Sequence, residues 1–274
     1  MTNPVENTTG CYDRQATEYQ EASERHMARI RLNTVNHALL EMKSSVPRTG
    51  LIVDLGCGTG HSTEMIRSVF ESTPTMGVDC SSAEIEIAIG RSKARDLNLE
   101  YHVDDFFQRD YASDSVALFV AVMSIHYFRD PVELTRLLKR LSTGLIDKGR
   151  LVAQIPNPEL PFPYRDYGIT HSAVRDQSGK LKEGDAYDVS LFLKPYRHWQ
   201  SDWGEPLVTF QNYVHSWETF SSAFSAAGFS LQEQRLVIPA DLLRSECEIN
   251  WDDLGKQPIY RTLVATKASE LVQE

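Results

Sequence analysis

Asp54 stands two residues ahead of three glycines, Gly56, Gly58 and Gly60, spaced two apart. Glycines let a backbone come close to a ligand, and a helix starting behind such a turn offers unpaired N–H groups. The dinucleotide fingerprint GxGxxG needs glycine where this chain has His61. A phosphate loop needs a lysine after its last glycine, and none follows Gly60. The Asp54 carboxylate would repel a pyrophosphate and attract an ammonium group. About twenty residues beyond the loop, Asp79 ends another apolar run with Cys80 beside it, where a carboxylate can accept two hydrogen bonds from a ribose diol. Asp104-Asp105-Phe106 offers a carboxylate for an adenine amino group and an aromatic face for its ring. The competing roles are structural: a tight turn for the glycines, and helix caps for Asp54 and Asp79.

S-adenosylmethionine has the composition this set asks for, an ammonium, a ribose and an adenine without phosphates, provided that the fold brings the segments together. The pattern of apolar residues predicts that it does. A helix is expected over residues 21–43, then a strand over residues 51–55 that closes on the glycine turn. Met65, Ile66, Val69 and Phe70 make one face of a second helix, and residues 75–79 a second strand. Ser81 with Glu84 has the spacing of a capping box, ahead of a helix that buries Ile85, Ala88 and Ile89. Strands follow at residues 99–103 and 115–123, the latter apolar enough to be buried on both faces. Asp130-Pro131-Val132-Glu133 opens a helix with Leu134, Leu137, Leu138 and Leu141 as its stripe, ended by Gly144, and residues 149–155 form a fifth strand.

The expected fold is therefore α/β, a doubly wound Rossmann-like sheet of seven strands, mostly parallel with the last antiparallel. Pro156, Pro158, Pro161 and Pro163 interrupt the alternation, and an irregular insertion over residues 157–206 is read as a substrate lid. A helix over residues 216–227 and strands over 229–238 and 259–267 complete the sheet. The organisation expected is an N-terminal helical cover, residues 1–45, on a Rossmann-like domain, residues 46–274.

Composition narrows the partner. The net charge is −10, with no basic stripe, which argues against nucleic acid and favours a small molecule. The four cysteines form no CxxC pair, so neither a disulfide framework nor a metal site is expected. No run reaches the ~20 apolar residues of a membrane span, and the polar first 25 residues lack a leader-like core, so a cytoplasmic protein is expected.

Residues 53–60 resemble motif I of the class I S-adenosylmethionine-dependent methyltransferases. Gly77-Val78-Asp79 with Ser81 is similar to their second motif, and residues 103–106 to their third. Residues 120–130, with Met123, His126 and Tyr127, resemble the segment after the fourth strand in the ubiquinone/menaquinone-methyltransferase branch. Tyr12-Asp13-Arg14 and Tyr19 are similar to a stretch that covers the cofactor in many relatives. The resemblance implies a methyl transfer that leaves S-adenosylhomocysteine, with Asp54, the three glycines, Asp79, Cys80, Asp104, Asp105, Phe106, Met123 and Tyr19 toward the cofactor. Asp105 is preferred over Asp104 for the adenine, because Phe106 then takes the family's stacking position. His126 is the candidate base for a hydroxyl acceptor, or else a wall of the pocket. Tyr12, Tyr127, Tyr164, Tyr196, His198, Trp199 and His215 are candidates on the acceptor side. The alternatives are a non-methylating enzyme or cofactor-binding protein on the same scaffold, and an RNA methyltransferase, which would need a basic face.

Overall fold

Val116–Val122 forms the strand β4, and every residue of it but the last is buried, as a central strand covered on both faces requires. The computed structural model describes residues 13, 16–17, 26–159, 165–166, 169–172, 182–191, 208–237, 258 and 260–267. On one side of β4 lie β1 (Leu51–Leu55), β2 (Thr75–Asp79) and β3 (Glu100–Val103). On the other lie β5 (Leu145–Pro156), β11 (Tyr260–Lys267) and β10 (Phe229–Gln234). The sheet order is β10-β11-β5-β4-β1-β2-β3. All pairings are parallel except those of β11, which runs antiparallel to both β5 and β10. This is the doubly wound, seven-stranded arrangement expected, with its order reversing between β1 and β4.

The helices are α1 (His26–Met42), α2 (His61–Val69), α3 (Ser82–Ala94), α4 (Pro131–Gly144) and α5 (Trp217–Ala226). Leu134, Leu137, Leu138 and Leu141 of α4 are fully buried in a core shared with α5 and the sheet, each contributing roughly 1.5–3 kcal/mol through burial. Asp130 caps that helix by accepting the Val132 N–H at 2.9 Å, while Glu133 reaches back to the Arg129 N–H at 3.1 Å. Buried Glu64 on α2 clamps α3 by accepting from Arg91 at 2.9 and 3.2 Å and from Arg95 at 2.7 Å. No helix among the described residues is long and apolar enough to cross a membrane.

Two expectations need correction. The fifth strand starts at Leu145, directly after α4, with Leu145 paired to Val116. Lys148, just before the expected start at Gly149, has φ +61. The described residues of the insertion are not irregular either. Beyond the proline run they form a second, antiparallel sheet of β6 (Arg165–Asp166), β7 (Ile169–Ser172), β8 (Ala186–Leu191) and β9 (Val208–Tyr213), in that order. The last proline of that run, Pro163, stands just short of the first of these strands, and Pro195 and Pro206 fall between β8 and β9, so none interrupts the pairing.

A latch joins the two sheets. His215, buried just after β9, places Nε2 2.9 Å from the Phe128 carbonyl oxygen and Nδ1 2.7 Å from Glu183. Its ring stacks on Phe128 with centroids 4.0 Å apart. Glu183 also accepts the Ser216 N–H at 2.8 Å and the Thr219 hydroxyl at 2.9 Å, so it ties the β7–β8 connection to the start of α5. Burial raises the Glu183 carboxyl, but the His215 hydrogen bond and these donors together outweigh it and hold the group below its ordinary value.

Candidate functional site

The carboxyl ends of β1, β2 and β4 meet where the strand order reverses, which is where open α/β sheets bind ligands. Asp54 is fully buried at the end of β1. Its Oδ2 accepts the hydroxyls of Ser62 and Thr63, on the first turn of α2, at 2.6 and 2.7 Å. Its Oδ1 is buried with no hydrogen-bond partner. Burial pushes the carboxyl up to about 6, against the two hydroxyls, with Asp79 adding to the rise. Asp54 does not cap α2: the N-cap is Gly60, which makes no side-chain cap bond. A buried oxygen without a donor is costly, and an ammonium group would supply what it lacks.

The loop between them is bent by Gly56 (φ +67) and Gly58 (φ +51). The N–H groups of Gly56 and Cys57 donate to the Val78 carbonyl oxygen at 2.8 and 3.1 Å, stitching the turn to β2. A Cβ at Gly56 would lie 2.4 Å from that of Ser124, whose hydroxyl donates to the Leu55 carbonyl oxygen at 2.6 Å. Asp79, at the end of β2, accepts the Gly58 N–H on Oδ2 at 2.8 Å and the Ser81 N–H on Oδ1 at 2.9 Å. Burial raises its carboxyl, and these backbone donors oppose the rise. Cys80 follows at partial exposure. Asp79 is thus both a brace for the loop and a carboxylate at the site.

The third segment is divided. Asp104 donates its N–H to the Asp79 carbonyl oxygen at 2.9 Å and its carboxylate pairs with Arg109 at 2.5 Å. Asp105 turns its carboxyl to the Phe107 N–H at 2.9 Å. Phe106 is almost wholly covered, its ring against Phe107 and beneath Gly56. After β4, Met123 takes a left-handed conformation (φ +56) and donates its N–H to the Gln154 carbonyl oxygen. Strain of this kind tends to be held at functional sites.

His126 and His215 share a recess with Pro156, Asn157, Tyr187 and Asn212, between the end of β5 and the second sheet. Tyr127 packs its ring on His126 and, edge-on, on Phe210 of β9. The recess brings together two residues that lie 89 positions apart in sequence. Tyr12, Tyr19, Tyr164, Tyr196, His198 and Trp199 fall outside the described residues. Asp13 is described, and its carboxylate accepts the Ser81 hydroxyl at 2.7 Å and the Ala83 N–H at 3.3 Å, which sets Asp13 beside the site.

Three contributors were missed in sequence. Ser62 and Thr63 orient Asp54, and the hydroxyl pair one helical turn past an acid-glycine loop could have signalled it. Glu84 was read as half of a capping box. Ser81 does accept the Glu84 N–H at 3.2 Å, but Asp79 takes the Ser81 N–H, and the Glu84 side chain turns inward to Gly58.

Residues 52–149 match the family model described as a methyltransferase domain. That span carries the strands β1 to β4 and both acids of the site. A carboxy-S-adenosyl-L-methionine synthase of Helicobacter hepaticus is 29% identical over 43% of this chain and 47% of its own length. A trans-aconitate 2-methyltransferase of Sinorhizobium fredii is 31% identical over 39% of each chain. The chain thus aligns with less than half the length of either relative. An S-adenosylmethionine-dependent methyltransferase of Clostridium acetobutylicum has the same fold, with TM-score 0.59 at 15% identity over 97% of this chain and all of that one.

Proposed function

We propose that this chain binds S-adenosylmethionine at the ends of β1 and β2 and transfers its methyl group to a small-molecule acceptor in the recess of His126 and His215. The observation that carries the reading is the buried, unpartnered Oδ1 of Asp54 at the start of a turn bent by Gly56 and Gly58. The methyltransferase-domain match, residues 52–149, includes Asp54, the glycine turn and Asp79. The net charge of −10 supports a small molecule over RNA, and a cytoplasmic setting agrees with it. Within the family, Met123, His126 and Tyr127 favour the ubiquinone/menaquinone-methyltransferase branch.

When bound, the cofactor supplies a methyl on a sulfonium, and the displacement needs alignment and dryness more than covalent help. Asp54 holds the ammonium end and Asp79 the ribose, while the second sheet closes the acceptor side. His126, buried beside Tyr127, removes the acceptor proton when the acceptor is a hydroxyl. His215 has both ring nitrogens engaged, by Phe128 and Glu183, and shapes the recess.

Calorimetric titration with S-adenosylhomocysteine and with NAD tests the binding, and binding of the first but not the second is expected. No uptake of S-adenosylhomocysteine would end this reading. The relative named carboxy-S-adenosyl-L-methionine synthase supports a second one, in which the cofactor is held without methyl transfer. Formation of S-adenosylhomocysteine on incubation with candidate acceptors separates the two. Once an acceptor is found, His126→Ala is expected to slow turnover about tenfold or more while cofactor affinity stays within twofold of the parent.

A further inference from the structure

Glu84 is 3% exposed, and its Oε1 is buried with no hydrogen-bond partner. Burial pushes its carboxyl well up, and the charged groups that act on it, Asp79 and then Asp13, are acids that add to the rise. A buried carboxyl among like charges destabilises a fold unless something pairs with it. Its other oxygen lies 2.7 Å from where a Cβ on Gly58 would sit. The N–H of the same glycine donates to Asp79 at 2.8 Å. Two carboxyls therefore straddle one glycine of the turn, and each Asp79 oxygen already accepts a backbone N–H.

We infer that Glu84 is a third acid of the nucleoside site, sharing the ribose diol with Asp79 so that each carboxyl takes one hydroxyl. This rests on the cofactor reading above and adds a residue to it. A hydroxyl donates and accepts, so it satisfies a carboxyl in either protonation state. Water does not need to be held there once the ligand arrives. The same residue is a liability in the ligand-free protein, and this links its two expected signatures.

The test uses S-adenosylhomocysteine and its 2′-deoxy and 3′-deoxy analogues in calorimetric titrations of the full chain, with melting curves of the ligand-free protein. In the parent, removing one of the two hydroxyls is expected to weaken binding about tenfold or more. Glu84→Gln is expected to weaken S-adenosylhomocysteine itself by a similar factor, and to bind that one deoxy analogue within about threefold of the parent. Glu84→Met, which removes the unpaired carboxyl, is expected to melt no lower than the parent without ligand. Unchanged affinity of Glu84→Gln for S-adenosylhomocysteine, equal weakening toward all three ligands, or a lower melting temperature of Glu84→Met would each overturn the assignment. If the parent itself bound none of the three, the cofactor reading would fail first, and Glu84 with it.

Discussion

Lowering the pH from about 7.5 to about 5 should weaken S-adenosylhomocysteine binding about tenfold, with the break near 6, where burial has placed the Asp54 carboxyl. Only the ionised carboxylate can take an ammonium group on its free oxygen. Above the break the affinity is flat, because the carboxylate is already charged. Below it, each bound ligand must first displace a proton, and the affinity falls about tenfold per pH unit. The stability of the ligand-free protein should respond in the opposite direction. The Asp54 carboxyl is raised from 3.8 to about 6, so between those values the folded chain binds more protons than the unfolded one. This group's contribution to stability therefore improves as the pH falls from 6 toward 4 and is lost as the pH rises through 6. Affinity and ligand-free melting temperature moving oppositely across this window would be diagnostic. Asp54→Asn keeps an acceptor for Ser62 and Thr63, yet removes the charge. It should bind about a hundredfold more weakly, the worth of a charge-assisted hydrogen bond of about 2–3 kcal/mol, and should lose the break near 6. A variant that kept the parent's affinity and pH profile would remove Asp54 from the site.

The reach of sequence reasoning here follows the strength of the local signals. The strand β4 is unmistakable because six consecutive buried residues leave no other way to be apolar on both faces. Asp130 and Pro131 mark the start of α4 through chemistry within four residues. The second sheet lacks such signals. Its strands mix Thr, His, Tyr, Asp and Ser, and the pairings of β7 with β8 and of β8 with β9 join residues about twenty positions apart. Asp54 and Asp79 were legible as candidates because an acid at a strand end beside glycines invites a ligand as well as a structural role. Glu84 was not, because the spacing S-x-x-E is itself a common structural signal. Only the competition from Asp79 for the Ser81 N–H, a contact across the turn, frees the Glu84 side chain to turn inward. Both histidines of the recess were candidates from the sequence, but the second sheet that leads to His215 was not disclosed by periodicity.

Gly56→Ala should destabilise the protein by about 3 kcal/mol, read as a shift in the urea midpoint at unchanged slope. Two terms add. The position has φ +67, and a left-handed conformation costs a side chain with a Cβ about 1–2 kcal/mol. The new methyl would also stand 2.4 Å from the Ser124 Cβ. Ser124 cannot retreat cheaply, because its hydroxyl donates to the Leu55 carbonyl oxygen at 2.6 Å across the β1–β4 junction. Overpacking at such a point costs roughly 1–3 kcal/mol. Gly58→Ala is the internal control. Its strain is similar, at φ +51, but its close neighbour is the flexible end of Glu84, so the loss should stay near 1–2 kcal/mol. Combining Gly56→Ala with Ser124→Gly removes the collision and leaves the backbone strain. The double-mutant cycle should then show a favourable coupling of about 1 kcal/mol or more. A Gly56→Ala protein as stable as the parent, or a cycle with no coupling, would mean that β1 and β4 are not held at this separation. The two strand ends that frame the site would then not be where the geometry puts them.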